Sequence, residues 1–474
     1  MKPAKLIYLL TALFLLFSCA KKDTGKDGSR INDDRPNFVI IYCDDLGYGD
    51  IGCFGATGIK TPNIDRMAAE GIKFNEFYSA SPVCSPSRAA LLTGRIPQRM
   101  GINGVFFPES YTGMPLEEIT IADILKKEGY TTGIVGKWHL GHMERFLPLQ
   151  RGFDEYFGIP YSNDMESVVY LRGNEVVDFD VDQRYTTKTY TEEAVRFIEN
   201  HKNEPFLLYL AHNMPHVPIY ASEDFLGTSA RGLFGDVIQE IDWSVGQVLK
   251  TLEDNHLLNN TLIIFSSDNG PWLVMEDYGG SAGILREGKQ YTFEGGQRVP
   301  TLAMWPAKIK GGQVYDDMAV MMDWFPTIAG IAGADVPDDR PYDGVDISQV
   351  LFGNGGRNGH GFLYFDLAEL QGYREGEWKV KIPYEGFTGS PGKKAVAPHP
   401  MLLINLKDDP GEQHNLAEEM PDKLEEMLHK MDSARDALGE LPPSLVIRTG
   451  ADNSHYRYLN EKHNGKNYWY REWD

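Results

Sequence analysis

Asn37-Phe38-Val39-Ile40-Ile41-Tyr42-Cys43-Asp44-Asp45 is the segment on which the fold turns. An unbroken apolar run, rich in β-branched and aromatic residues, ends in two carboxylates. It lacks the alternation of a half-exposed strand and suits one buried on both faces, as in a parallel sheet. The pattern recurs downstream. Thr131-Thr132-Gly133-Ile134-Val135-Gly136, Pro205-Phe206-Leu207-Leu208-Tyr209-Leu210 and Thr261-Leu262-Ile263-Ile264-Phe265 read as strands. Helical periodicity lies between them. Thr61 is placed to cap a helix with Pro62 at its first position and Ile64, Met67 and Ala68 on one face. Further helices are predicted over Leu116 to Gly129, Tyr190 to His201 and Leu233 to Asp254. Strands alternating with helices over roughly 300 residues predict an α/β fold with a large, mostly parallel sheet flanked by helices.

The texture changes after about Ala334. Phe362-Leu363-Tyr364-Phe365, Trp378-Lys379-Val380-Lys381 and Met401-Leu402-Leu403-Ile404 read as antiparallel strands, followed by a helix near Pro421 to Leu438. Residues 35–333 are therefore expected to form the main domain. Residues 334–474 are expected to form a smaller C-terminal α+β subdomain containing an antiparallel sheet.

The chain has 474 residues, 46 Lys and Arg against 68 Asp and Glu, and a net charge of −22. That balance argues against a nucleic-acid partner, because phosphate neutralisation needs clustered cations. Any anionic ligand must be held by a local positive pocket. Four cysteines exclude a disulfide framework, and Cys43 and Cys53 read as buried thiols. At the N-terminus, Lys2 and Lys5 precede the apolar run Leu6 to Phe17. It is shorter than the roughly 20 residues a membrane span needs and reads as a secretory signal. Leu16-Phe17-Ser18-Cys19 resembles a bacterial lipobox, implying a lipoprotein signal peptide over 1–18 and lipidation of Cys19. Residues 19–34 then read as a flexible tether. The expected location is the bacterial cell envelope, with a lipid anchor in the periplasm or at the outer-membrane surface.

In a parallel sheet, strand carboxyl ends share one edge, where ligands gather. That edge would collect Asp44 and Asp45, Asp268 and Asn269, Lys137 and His139, and His212 and His216. Asp44, Asp45, Asp268 and Asn269 are hard oxygen donors of the kind that hold Ca²⁺ or Mg²⁺. Cys84, in Ser81-Pro82-Val83-Cys84-Ser85-Pro86-Ser87-Arg88, falls at the start of a predicted helix. There a thiol nucleophile of lowered pKa and a small buried cysteine are both open readings.

Cys84-Ser85-Pro86-Ser87-Arg88 with Leu92-Thr93-Gly94-Arg95 resembles the signature of the type I, formylglycine-dependent sulfatases. Gly136-Lys137-Trp138-His139-Leu140-Gly141 resembles a second signature of that family. Asp44 to Asp50, Pro215-His216-Val217-Pro218, Asp268-Asn269-Gly270, Gly288-Lys289 and Glu294-Gly295-Gly296 follow in family order. The likeness covers nearly all of residues 35–420 and is nearest the arylsulfatase A and N-acetylgalactosamine-6-sulfatase branch, with Gly158-Ile159-Pro160-Tyr161-Ser162 in keeping. It implies an alkaline-phosphatase-like fold with residues 35–333 as the catalytic domain. It also implies one calcium ion, with Mg²⁺ the lesser alternative, held by Asp44, Asp45, Asp268 and Asn269. Cys84 would be oxidised to formylglycine (3-oxoalanine) by a separate formylglycine-generating enzyme. Residues 271–287 and 366–398, where leaving-group contacts are expected, match poorly.

The mechanism this resemblance implies is covalent. A hydroxyl of the hydrated aldehyde attacks sulfur, and the second hydroxyl later expels sulfate from the hemiacetal. Arg88 would steady the diol, Lys137 and Lys289 would neutralise the sulfate, and Asp268 would take the attacking proton. His216 would be the general acid and His139 the base for hemiacetal breakdown. Ser162, His212 and His399 are candidate substrate contacts. The expected substrate is a sulfated carbohydrate. The alternatives are a phosphoester or phosphonate hydrolase on the same fold and a non-catalytic glycan-binding lipoprotein.

Overall fold

The computed structural model describes residues 35–446 except 109–110, 166–167, 390–392 and 394. It also describes the backbone of a ribbon pairing Tyr456–Tyr458 with Tyr470–Glu472. The signal segment, the tether and Cys19 lie outside the described residues.

The strands β1 (Asn37–Cys43), β2 (Ile72–Phe74), β3 (Phe77–Tyr78), β4 (Thr131–Gly136), β5 (Glu155–Gly158), β6 (Tyr170–Arg172), β7 (Glu175–Asp178), β8 (Phe206–Ala211), β9 (Thr261–Ser267), β10 (Thr301–Met304) and β11 (Gln313–Tyr315) come first along the chain. All but β3 join one ten-stranded sheet in the order β11-β2-β10-β9-β1-β8-β4-β5-β6-β7. Its centre, β9-β1-β8-β4-β5, is wholly parallel. β10 runs antiparallel to both β9 and β2, and β6 and β7 close the other edge antiparallel. β3 pairs with β12 (Ala319–Val320) apart from this sheet.

β1 shows why an unbroken apolar run is needed. Phe38, Ile40 and Tyr42 point into one core, and Val39, Ile41 and Cys43 into the other. The helices are α1 (Pro62–Glu70), α2 (Cys84–Thr93), α3 (Ile121–Lys127), α4 (Thr186–His201), α5 (Gly232–Asp254), α6 (Glu294–Gln297), α7 (Trp324–Ala332), α8 (Ser348–Leu351) and α9 (Pro421–Asp436). α2, α3 and α7 supply side chains to the first core; α1, α4 and α5 supply the second.

Local predictions shift at helix ends. α3 starts at Ile121 rather than Leu116, because Thr120 and Asp123 form a reciprocal capping box there. Thr61 precedes α1 but makes no side-chain cap; its hydroxyl donates to Asp65 and accepts from the Gly52 N–H.

β13 (Phe362–Asp366), β14 (Glu369–Glu375), β15 (Trp378–Lys381) and β16 (Leu402–Asn405) form the expected antiparallel sheet. Val380 and Leu403 pack there with Met427 and Met431 of α9. Ile347, Val350, Leu351, Phe362 and Tyr364 belong to the first core, so chain beyond residue 334 also packs on the large sheet.

Candidate active site

The parallel centre aligns its polar strand ends. β1 and β9 run in register to Cys43 opposite Ser267, which sets Asp44-Asp45 beside Asp268-Asn269. β4 and β8 align Gly136 with Ala211. Gly136 (φ +116°) then turns the chain, and the Lys137 N–H donates to the Ala211 carbonyl at 2.8 Å. A Cβ at 136 would lie 1.9 Å from that oxygen, so only glycine fits. Asp45 (φ +65°) and His139 (φ +60°) also hold left-handed backbone, a strain that clusters at functional sites.

These ends build a buried ionic cluster. Arg88, on α2, donates from Nε to Asp268 Oδ2 at 3.0 Å and from Nη1 to the Lys137 carbonyl at 3.0 Å. Its Nη2 is 2.9 Å from Asp268 Oδ2 and 3.6 Å from Asp44 Oδ1. Lys137 Nζ pairs with Asp44 Oδ2 and donates to Ser162 Oγ at 3.0 Å. Lys289 Nζ donates to Asp45 Oδ2 at 2.9 Å. Cys84, at the first position of α2, places Sγ 3.3 Å from Asp44 Oδ1.

The proton states follow from burial and these partners. Of the two readings open for Cys84, its surroundings favour the small buried cysteine: burial and then the Asp44 charge raise the thiol well above the usual range. Burial also acts against the Asp44 carboxylate, but Lys137, His216 and Arg88 outweigh it and hold the group well below its ordinary value. Burial and Asp44 push Asp268 up to about 7. Burial disfavours the Lys289 ammonium, yet Asp45 raises its pKa.

Burial, then Lys137 and Arg88, hold His139 far below the imidazole range. His139 Nε2 lies 2.9 Å from the Phe106 carbonyl, so Nε2 carries the proton and the buried Nδ1, which has no hydrogen-bond partner, keeps its lone pair. His216 is lowered by burial and Lys289. Its Nδ1 donates to the Val217 carbonyl at 2.6 Å, leaving Nε2 free, 3.7 Å from Asp45 Oδ2.

Two of the four expected donors, Asp44 and Asp45, lie in a cluster that could hold a divalent cation. Ligand atoms of Asp44, Asp45, Cys84 and His216 lie within 4.8 Å of one another. Asn269 Nδ2 donates to Asp45 Oδ1 at 2.7 Å, while Asn269 Oδ1 is buried without a partner and faces the need for a cation or donor. Asp268 Oδ1 accepts the Asp45 N–H and Oδ2 serves Arg88, so neither oxygen is unengaged.

A cavity of about 520 Å³ opens onto this cluster, lined among others by Cys84, His139, Ser162, His216 and Lys289. Two of the expected substrate contacts lie elsewhere. His212 is buried against Ser244 Oγ at 3.2 Å and the Tyr190 ring, and does not line the cavity. His399 packs on Phe293 and Tyr384, also off the cavity. Asp164 also faces the site, and the nearby Ser162 is its only signal in the sequence. Trp272, which carries no motif signal, faces Lys289 Nζ with its ring (4.3 Å to the centroid) and lies near His216. Both line the cavity.

The mixed sheet, its carboxylate-rich edge and the flanking helices have the alkaline-phosphatase-like architecture. A phosphonate monoester hydrolase from Agrobacterium radiobacter shares the fold, at TM-score 0.63 and 17% identity over 90% of this chain and 99% of that one. The family model described as Sulfatase matches residues 36–334, and that for N-sulphoglucosamine sulphohydrolase, C-terminal, matches 287–437. The chain belongs to the sulfatase family and is a sulfuric ester hydrolase of the arylsulfatase A and N-acetylgalactosamine-6-sulfatase branch. It is 38% identical to human N-acetylgalactosamine-6-sulfatase, over 87% of this chain and 88% of that protein. It is 37% identical to human arylsulfatase A, over 87% and 90%. A Bacteroides thetaiotaomicron sulfatase solved in work on glycosaminoglycan metabolism superposes at TM-score 0.79, with 29% identity over 85% of this chain and all of that one.

Proposed function

We propose that this sulfatase releases sulfate from sulfated carbohydrates, with residue 84 converted to formylglycine and one calcium ion held by Asp44, Asp45, Asp268 and Asn269. The observation that carries the reading is Cys84 itself, buried at the start of α2 against Asp44 and facing a cavity walled by two histidines and Lys289. The names of the human relative and of the Bacteroides neighbour support the carbohydrate.

When present, the aldehyde would supply a hydrated nucleophile and the calcium ion a Lewis acid toward sulfate oxygens. The chain's own residues then do the rest. Lys137 and Lys289 balance the charge of the bound sulfate, each already aimed by a carboxylate. Arg88, one helical turn from residue 84 and pinned by Asp268 and the Lys137 carbonyl, is placed to steady the hydrated nucleophile. His139 Nδ1 offers a lone pair for a proton. His216 Nε2 takes up a proton, favoured by the incoming anion, and passes it to the leaving oxygen.

The mass of the peptide containing residue 84 tests the chemistry: conversion makes it lighter than the encoded cysteine. A plain thiol in fully active enzyme defeats the reading. Turnover across a panel of sulfated sugars, with 4-nitrophenyl phosphate as the control, tests the substrate class. We also propose, on Leu16 to Cys19, that the protein is lipid-anchored in a bacterial envelope. Cys19→Ala should then move it from the detergent-rich to the aqueous phase on partition.

A further inference from the structure

The cavity has a sulfate end and a leaving-group end, and they differ in the partners they offer. At the sulfate end Lys137 Nζ donates to Ser162 Oγ at 3.0 Å, and Asp164, two residues further along the chain, lines the same cavity. Asp44, Lys137 and Ser162 thus form one chain of polar contacts, and Asp164 stands exposed just beyond it. Only Asn163 separates Asp164 from Ser162, and no ion pair joins Asp164 to a cation among the described residues. Trp272 lines the same cavity, an aromatic face beside His216 and Lys289. The other charged wall residues there, Asp366 and Lys393, neutralise each other at 3.3 Å.

A carboxylate accepts hydrogen bonds and cannot donate them, so it selects a leaving group that brings donors. An aromatic face suits the apolar side of a sugar ring. From this geometry we infer that Asp164 is a specificity-determining residue: it accepts a free hydroxyl on the carbon skeleton next to the sulfate ester and repels a second sulfate or a carboxylate there. The inference rests on the carbohydrate reading above and narrows it to sugars that are otherwise uncharged beside the ester. Losing such a contact costs about 10- to 100-fold in kcat/KM, the worth of one hydrogen bond to a charged group.

The test compares wild type with Asp164→Asn and Asp164→Glu on three probes: monosulfated hexosamines and hexoses, their disulfated counterparts, and 4-nitrophenyl sulfate, which offers no neighbouring hydroxyl. Asp164→Asn should lose about 10- to 100-fold on the monosulfated sugars and at most about threefold on 4-nitrophenyl sulfate. It should also narrow the preference for mono- over disulfated sugar, whereas Asp164→Glu should keep that preference. Equal losses on sugar and aryl sulfate would overturn the assignment, because Asp164 would then serve the sulfate itself. Unchanged sugar turnover would overturn it too. Wild type that hydrolyses the aryl sulfate and no sugar defeats the carbohydrate reading instead. Unfolding midpoints should match in all three proteins, since the side chain is exposed.

Discussion

Two buried charge networks sit some way apart in this molecule and serve different ends. One joins Asp44, Arg88, Lys137 and Asp268, all fully buried. The other joins Glu294 on α6 to Lys379 on β15 and Glu412, again with every side chain at 0% exposure. Arg374 and Tyr78 extend the second network, and Tyr78 and Tyr364 both donate to Glu294. By burial and ion pairing the two are alike. They differ in what they leave open. The first faces a cavity and keeps an unpartnered Asn269 Oδ1 and His139 Nδ1. At the heart of the second, Glu294, Lys379 and Glu412 are enclosed at the seam between the large sheet and the C-terminal sheet, where Glu412 also accepts the Glu294 N–H and, through its carbonyl, Arg286. A buried charge marks a functional site only when its surroundings leave a ligand something to bind.

The largest effect should come from the first network. Cys84→Ala removes the group from which the nucleophile is made and should lower kcat by about 10⁴-fold or more, with little change in the unfolding midpoint. Retained turnover would erase the distinction between the networks. Lys379→Met attacks the second network. It strands two buried carboxylates and should cost about 3–5 kcal/mol of unfolding free energy by denaturant titration. Well below its melting point this variant should keep kcat within about threefold, since the seam lies apart from the reacting groups. His139→Asn returns to the site: kcat should fall about 10²- to 10³-fold, with the pH profile altered on its acid limb. An equal drop in kcat for Lys379→Met would show that the seam acts on the reaction.

The two networks were unequally legible in the sequence. Asp44-Asp45 and Asp268-Asn269 stand directly after apolar runs, so the parallel sheet alone brings them together. Cys84 and Arg88 lie one helical turn apart, a local relation. The seam gave no such signal. Trp378-Lys379-Val380-Lys381 alternates like a strand with its lysines in water, yet Lys379 is 0% and Lys381 1% exposed. Their partners Glu294, Glu412 and Thr292 come from distant chain, and only tertiary packing determines that those lysines face inward. The antiparallel insertion of β10 between β9 and β2 was hidden for the same reason. Thr301 to Met304 is as apolar as its parallel neighbours, and strand direction leaves no trace in composition. Asp164 and Trp272 sit on loops whose path no periodicity encodes.

His142 sharpens the comparison, because it is buried with neither kind of network around it. Its ring packs between Tyr111 and Tyr161, and burial alone pushes its pKa down to about 4. The folded protein therefore holds it neutral, while the unfolded chain protonates it near the ordinary imidazole value. A group whose folded pKa is depressed stabilises fully above its unfolded pKa and loses that contribution as pH falls through the window down to the folded value. Between pH 7 and pH 5 the loss is about 2 kcal/mol, at 1.36 kcal/mol per unit of differential binding. Other groups titrate oppositely in this range: burial pushes the Asp50 carboxyl up to about 7. The readout is therefore the difference between wild type and His142→Phe, in which those terms cancel. Relative to the variant, wild type should lose about 2 kcal/mol of unfolding free energy on going from pH 7 to pH 5. A flat difference would mean that His142 finds a proton acceptor in the folded protein, and that burial without a charged partner does not set its state.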